Sequence, residues 1–282
     1  MVADDRPDRS SLAEALSDAG VDGYLLDADS DVPDQYYLSG FDASDPFVTL
    51  YVPDQVVLLV SGMEYGRARA ESGADAVDRW VDYDLRERVA EHGHHGGRAR
   101  AIAAFLDAHG VDSVAAPDRF PLGTADGLRE TGVDVALDAE NAVADLRAHK
   151  TDHEADAIRE AQRANERAMA TAERLLREAT VEGGTLHLTG EDVLTSERVK
   201  EEIEVTLLRE GYALDETIVA CGEQAAAPHD RGSGPLRAGE PIIVDIFPRG
   251  KESRYHGDMT RTFVKGDPTP AAQAFYDAVE AA

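Results

Sequence analysis

Ile242–Val264 reads IIVDIFPRGKESRYHGDMTRTFV, and the fold turns on this stretch. Ile242–Phe247 is an apolar run with a single acid, Asp245, in its middle. A strand this apolar is expected to be buried on both faces, where an unpaired carboxylate costs roughly several kcal/mol. Asp258 opens a second strand, Asp258–Val264, and alternation puts Asp258, Thr260 and Thr262 on one of its faces. Folded back as a hairpin, the two strands bring Asp245 and Asp258 to the same side. Two carboxylates at contact distance do not both ionise without a cation, and a divalent metal or a carboxylate-bridged metal pair meets that need. The spacing is also open to a plainer arrangement, in which Asp258 after Gly257 is a turn residue and Asp245 pairs with Arg249, Arg254 or Arg261.

Upstream of the hairpin, a strand is predicted over Glu216–Cys221, followed by a loop holding Ala227-Pro228-His229-Asp230. A lone loop histidine is ordinarily solvated. Before that strand come two helices. The first follows the capping-box sequence Thr151-Asp152-His153-Glu154 and carries Ile158, Ala161, Ala168, Ala172, Leu175 and Leu176 at helical spacing. The second, Ser196–Glu210, has Val199, Ile203 and Leu207 four apart, and a last helix begins at Pro270. Residues 11–145 follow another pattern. Strands at Val21–Leu26, Phe47–Val52, Val56–Val60, Ser113–Ala116 and Val133–Leu137 alternate with helices that include Ala99–Ala108 and Leu122–Glu130. That alternation predicts an α/β domain with a mixed sheet, and the change of pattern near 146 divides the chain into domains 1–146 and 147–282.

The 282 residues include 56 acidic and 28 basic side chains, a net charge of −28. Such a chain repels phosphate backbones and anionic lipid, which argues against nucleic acid or a membrane surface as partner. Apolar runs such as Val56–Val60 are far short of the ~20 residues that span a bilayer, and Met1–Ser10 (MVADDRPDRS) has no apolar leader, so a cytoplasmic location is expected. The single Cys221 has no partner for an internal disulfide and reads as a small buried hydrophobe. A hydrophobic content of 43% in periodic blocks speaks against disorder. Lysines occur only at Lys150, Lys200, Lys251 and Lys265, the other basic residues being arginines. This composition fits a halophilic protein, since a Debye length of about 3 Å in molar salt screens the self-repulsion. His92, His94 and His95, among three glycines, are expected in a flexible loop rather than on a metal. Trp80 is expected in the N-terminal core with Val77 and Val81.

Thr217–Val264 resembles the first half of the catalytic domain of the M24 metallopeptidases, most of all the Xaa-Pro dipeptidase and aminopeptidase P branch. The features that match are strand-borne Asp245, the block Asp258-Met259-Thr260-Arg261-Thr262-Phe263, and Pro228-His229 after an Ile-Val-Ala strand. Gly23-Tyr24-Leu25-Leu26 and Tyr37-Leu38-Ser39-Gly40-Phe41 resemble the creatinase-type N-terminal domain of the same family, and the junction helix with Ile158-Arg159 follows it too. The resemblance implies an α/β N-terminal domain with a mixed sheet, then the first half of an α+β pita-bread domain. It implies that Asp245 chelates one metal, that Asp258 bridges two, that His229 serves catalysis at the substrate pocket, and that Thr260 and Arg261 support the ligands. It further implies two divalent ions, commonly manganese or cobalt, which activate the water that cleaves the bond before proline in a peptide substrate, and a possible homodimer through the N-terminal domain.

The sequence departs from the family in two ways. The connection between the aspartates is two residues longer than usual, an insertion that costs little at a hairpin tip. The family's other three ligands, a His and two Glu, belong to a later part of the catalytic domain, and His153 and His187 lie too early to replace them. The chain is therefore expected to be a truncated form, inactive by itself. The alternatives are a non-catalytic binding or assembly module and a creatinase-like hydrolase that uses no metal.

Overall fold

A six-stranded mixed sheet organises the N-terminal half of the computed structural model, which describes residues 8–188 and 192–282. Most of the opening stretch Met1–Ser10 lies outside the described residues. Two units form, Met1–Thr151 and Asp152–Ala282. In the first, the elements in order are α1 (Ser10–Ala19), β1 (Gly23–Ala28), α2 (Pro33–Ser39), β2 (Phe47–Val52), β3 (Gln55–Val60), α3 (Tyr65–Glu71), β4 (Ala76–Arg79), α4 (Leu85–Ala108), β5 (Ser113–Ala116), α5 (Leu122–Glu130), β6 (Asp134–Leu137) and α6 (Ala142–Ala148). The sheet order is β4-β3-β2-β1-β5-β6. β1, β2 and β3 form an antiparallel meander, and β4, β5 and β6 join in parallel.

The pleat explains why these strands read as continuous apolar runs. Val56, Leu58 and Val60 of β3 pack with Leu12, Leu16 and Leu38 on one face, while Val57 and Leu59 pack with Ile102, Phe105 and Leu106 on the other. Both faces are covered by helices, so neither alternate set is polar. Each such side chain contributes about 1.5–3 kcal/mol when fully buried. A buried ion pair, Asp27 with Arg98, is completed by the Thr124 hydroxyl at 3.1 Å and by the Arg98 guanidinium stacking 4.4 Å from the Trp80 ring.

Two N-terminal expectations are corrected. The segment with His92, His94 and His95 is helical, part of α4, interrupted only at Gly93 (φ 73, ψ 175). Gly97 serves close packing rather than flexibility: a Cβ there would lie 2.4 Å from the Val89 backbone nitrogen. Trp80 is buried as expected, but Val81 is 68% exposed, because the chain leaves β4 as a short 3-10 turn (Trp80–Tyr83) that swings Val81 outward.

The second unit holds α7 (Asp152–Glu178), β7 (Thr180–Glu182), β8 (Thr185–His187), α8 (Ser196–Arg209), β9 (Tyr212–Ala213), β10 (Thr217–Cys221), β11 (Ile242–Ile246), β12 (Arg249–Gly250), β13 (Met259–Phe263) and α9 (Pro270–Glu280). β10, β11 and β13 form an antiparallel sheet in that order. Helices α7 and α8 cover one face of it. Ala164, Ala168 and Ala172 of α7 and Val199, Ile203 and Leu207 of α8 pack with Val219, Ile242, Val244 and Ile246. The alanines let α7 lie close to its neighbours, which suits its long small-residue stripe. β11 departs from the expectation of burial on both faces: Ile242, Val244 and Ile246 are buried, whereas Ile243 and Asp245 are half-exposed. Its apolar run reflects one helix-covered face and one face that opens onto a cleft. Among the described residues no helix is long and apolar enough to cross a membrane.

Candidate metal centre and substrate cleft

The register of β11 against β13 places the two aspartates. Asp245 lies opposite Thr260, and Ile246 opposite Met259. Beyond the strand ends the Gly257 N–H donates to the Pro248 carbonyl at 3.0 Å, continuing the same register and setting Asp258 opposite Phe247. Residues opposite each other share a face, as do alternate residues of one strand, so Asp245, Thr260 and Asp258 all belong to the open face. Asp245 and Asp258 are diagonal neighbours there, a relation that corresponds to about 7 Å between Cα atoms. The Thr260 hydroxyl donates to Asp245 Oδ1 at 2.7 Å and so orients that carboxylate. Arg261 lies opposite Val244, on the helix-facing side, and its guanidinium donates to the Thr260 carbonyl at 2.8 Å. The fold thus brings Thr260 to the aspartates and turns Arg261 away from them.

Beside Asp245 lies a cleft of about 290 Å³ lined by Ile218, Ala220, Ala225, Ala227, Pro228, Ile243, Asp245 and Thr260. Its walls are apolar except for the Asp245–Thr260 pair at one end. His229 follows Pro228 and is exposed at the rim. The loop that carries it is tied down at several points. Lys200 Nζ donates to the Gly232 carbonyl at 2.7 Å, the Ser196 N–H to the Gly234 carbonyl at 2.9 Å, and the Val219 N–H to the Arg231 carbonyl at 3.1 Å. The Gly234 N–H in turn donates to the Glu197 carboxylate at 3.1 Å. A larger cavity of about 330 Å³ in the first unit, lined by residues that include Arg88, Arg100, Asp107 and Asp112, has no strand-borne carboxylate pair. Only the smaller of these two cavities has a strand-borne carboxylate of that pair, Asp245, in its lining.

Backbone N–H groups of its own helix turn and of Gly234 hold the Glu197 carboxyl below the usual carboxylate range. A group with a lowered native pKa stabilises the fold above its unfolded value, here 4.5, and that contribution is lost as the pH falls through the native value. Acidification below 4.5 should therefore reduce the hydrogen-exchange protection of the Gly234 amide before that of the β10 amides, as two-dimensional NMR would record. Equal loss in both would show that Glu197 does not hold the loop.

Cys221 is 3% exposed, faces the helix-covered core, and burial pushes its thiol up from the usual range, all of which fits a packing residue. Among the described residues no group of three or more His, Cys, Asp or Glu side chains is gathered as a metal cage. Two carboxylates with a supporting hydroxyl on one face do fit part of an oxygen-donor site for hard divalent ions. The polar side chains of α7 that reach this region are not evident from sequence. Asn165, fully buried, donates to the Ile246 carbonyl at 3.3 Å, and Gln162 bonds to the backbone of Asp258. A polar residue on an otherwise alanine-lined helical stripe is the signal that could have found Asn165.

Residues 156–282 match the family model for metallopeptidase family M24, and residues 9–149 match that for the Creatinase/Prolidase N-terminal domain. The chain belongs to family M24. Comparison with curated protein sequences gives no match. Among solved structures this M24 chain is similar to the prolidase from Pyrococcus horikoshii OT3 (20% identity, TM-score 0.71) and to the Xaa-Pro dipeptidase from Bacillus anthracis (19%, TM-score 0.73). It is also similar to the dipeptidase PepE from Mycobacterium ulcerans (24%, TM-score 0.69). Each likeness covers 95% of this chain and 67% of the other, so the M24 chain spans about two thirds of the length of these structures. A creatinase-type N-terminal domain followed by part of a pita-bread catalytic domain is the fold they share with it.

Proposed function

We propose that this M24 chain carries the first two metal ligands and the substrate cleft of a proline-specific peptidase, an Xaa-Pro dipeptidase or aminopeptidase. The observation that carries the reading is the placement of Asp245 and Asp258 on one open face of the β11–β13 pair, beside an apolar cleft. In this reading Asp245 and Asp258 would hold the divalent ions, manganese or cobalt being the expected metals. When bound, such ions supply an acidified water and polarise the scissile carbonyl. The chain's own residues do the rest. Thr260 holds the Asp245 carboxylate in one orientation, Ile218, Ala220, Pro228 and Ile243 offer walls suited to a pyrrolidine ring, and His229 holds the peptide at the rim. Arg261 then contributes through the β13 backbone rather than at the ligands. The similarity to proteins named prolidase and Xaa-Pro dipeptidase supports proline as the residue after the cleaved bond.

Two carboxylates hold a divalent ion weakly, so the 282-residue chain by itself is expected to bind manganese without appreciable turnover. Release of proline from an Xaa-Pro dipeptide, measured with and without Mn²⁺, tests this. Manganese-dependent turnover matching that of a longer relative would show that the described ligands suffice and would overturn this account of the site.

A further inference from the structure

We propose that Gln162 is a positioning residue for Asp258, an inference that rests on reading Asp258 as a metal ligand. The Gln162 side-chain amide meets both backbone groups of Asp258: Nε2 donates to the carbonyl oxygen at 3.1 Å, and the Asp258 N–H donates to Oε1 at 3.2 Å. The register explains why these groups are available. The Gly257 N–H is bonded to the Pro248 carbonyl, so Pro248 and Gly257 are a hydrogen-bonded pair and the next pair, Phe247 and Asp258, is a non-hydrogen-bonded one. The N–H and C=O of Asp258 therefore point away from β11. Among the described residues β13 is the last strand of its sheet, and no further strand takes up those groups. One amide side chain does what a neighbouring strand would do.

The helix that supplies this amide is fixed to the same connection at two other points. Asn165 Nδ2 donates to the Ile246 carbonyl at 3.3 Å, and the Tyr255 hydroxyl donates to Glu154 Oε1 at 2.5 Å. Gly257 permits the close approach, since a Cβ there would lie 2.8 Å from the Ala161 carbonyl oxygen. α7 thus acts as a template along which the residues just before β13 are laid. Asp258 lies between the Gly257–Pro248 bond and the first ladder residue, Met259, so without Gln162 its backbone is held only from the β11 side and its outward N–H and C=O lose the partner that fixes the root of its carboxylate. Only an amide serves at this position: a carboxylate accepts the N–H but has nothing to donate to the carbonyl, and an alkyl chain does neither.

The test uses the whole 282-residue chain with Mn²⁺ alone as probe, followed by electron paramagnetic resonance, alongside amide exchange measured by NMR in metal-free buffer. Gln162→Leu should lower the protection of the Asp258 amide at least about tenfold, leave the Val244 and Ile246 amides protected, and weaken Mn²⁺ binding about ten- to a hundredfold. Gln162→Glu should keep the Asp258 amide protected, a rescue that mere packing would not produce. Unchanged Mn²⁺ affinity in Gln162→Leu, or equal loss of protection in both variants, overturns the positioning role. If the unaltered chain shows no Mn²⁺ binding that depends on Asp245, the metal reading itself fails and the inference falls with it.

Discussion

Asp245→Asn and Asp258→Asn should each lower the Mn²⁺ affinity of the chain by about a hundredfold or more, since loss of a mere supporting partner already costs ten- to a hundredfold. The same variants should be no less stable than the parent when metal is absent. In Asp245→Asn the side-chain amide oxygen still accepts the Thr260 hydroxyl that bonds Asp245 at 2.7 Å, so the local hydrogen bond survives while the charge is removed. Removing one of two like charges on a shared face also relieves repulsion. Binding and stability should therefore move independently, or in opposite directions. Thermal unfolding in EDTA beside a Mn²⁺ titration measures both. If both aspartates are structural, the variants will unfold earlier and bind Mn²⁺ as the parent does, and the proposed centre is then wrong.

Gly232→Ala should cost roughly 2–5 kcal/mol, the sum of a left-handed backbone strain and an overpacking penalty. Gly232 has φ +73, and a Cβ there would lie 1.8 Å from the Val219 carbonyl oxygen, a backbone atom of β10 with little room to retreat. The substitution should lift the loop that carries Pro228 and His229 away from the cleft wall, breaking the bond from Lys200 to the Gly232 carbonyl. Gly234→Ala is the matched control. It has the same φ of +73 but nothing within 4 Å of the added carbon, so it should lose only the backbone strain, about 1 kcal/mol. Urea unfolding of the pair gives the difference directly. Equal losses would mean that the His229 loop does not lie against β10 as described.

How much of the molecule is legible in the sequence depends on whether a feature is local. β2, β3, β5, α5 and α8 follow from runs and spacings within a dozen residues, and they fall where those patterns put them. Helices α2 and α3 are short and escape prediction, because two turns give too few repeats for a period to show. The histidine-rich segment misleads because glycine marks both flexible loops and tight helix packing, and only the partner, Val89, tells them apart. At the candidate site, alternation makes it legible that Asp258 and Thr260 share a face, whereas the face they share with Asp245 depends on the register of β13 against β11. The half-exposure of Asp245 is not, since an apolar strand facing a cleft looks the same as one buried twice. Gln162 and Asn165 act across 96 and 81 residues of sequence, a separation that no local pattern records.

The bond between Gly257 and Pro248 closes the connection at its base, and beyond it Arg249–His256 forms its own small hairpin, with Arg249 bridged to His256 and the Gly250 N–H bonded to the Tyr255 carbonyl. The distance between the two aspartates is thereby uncoupled from the number of residues separating them. A search that demands a fixed spacing would pass over such a chain, whereas one that asks for strand register would find it. The tip near Glu252 is also where foreign sequence can be spliced with least disturbance, each doubling of its length costing only about 0.6 kcal/mol. An epitope or a fluorophore-bearing peptide placed there would report on the face that carries Asp245 and Asp258 from a few residues away while leaving its geometry alone.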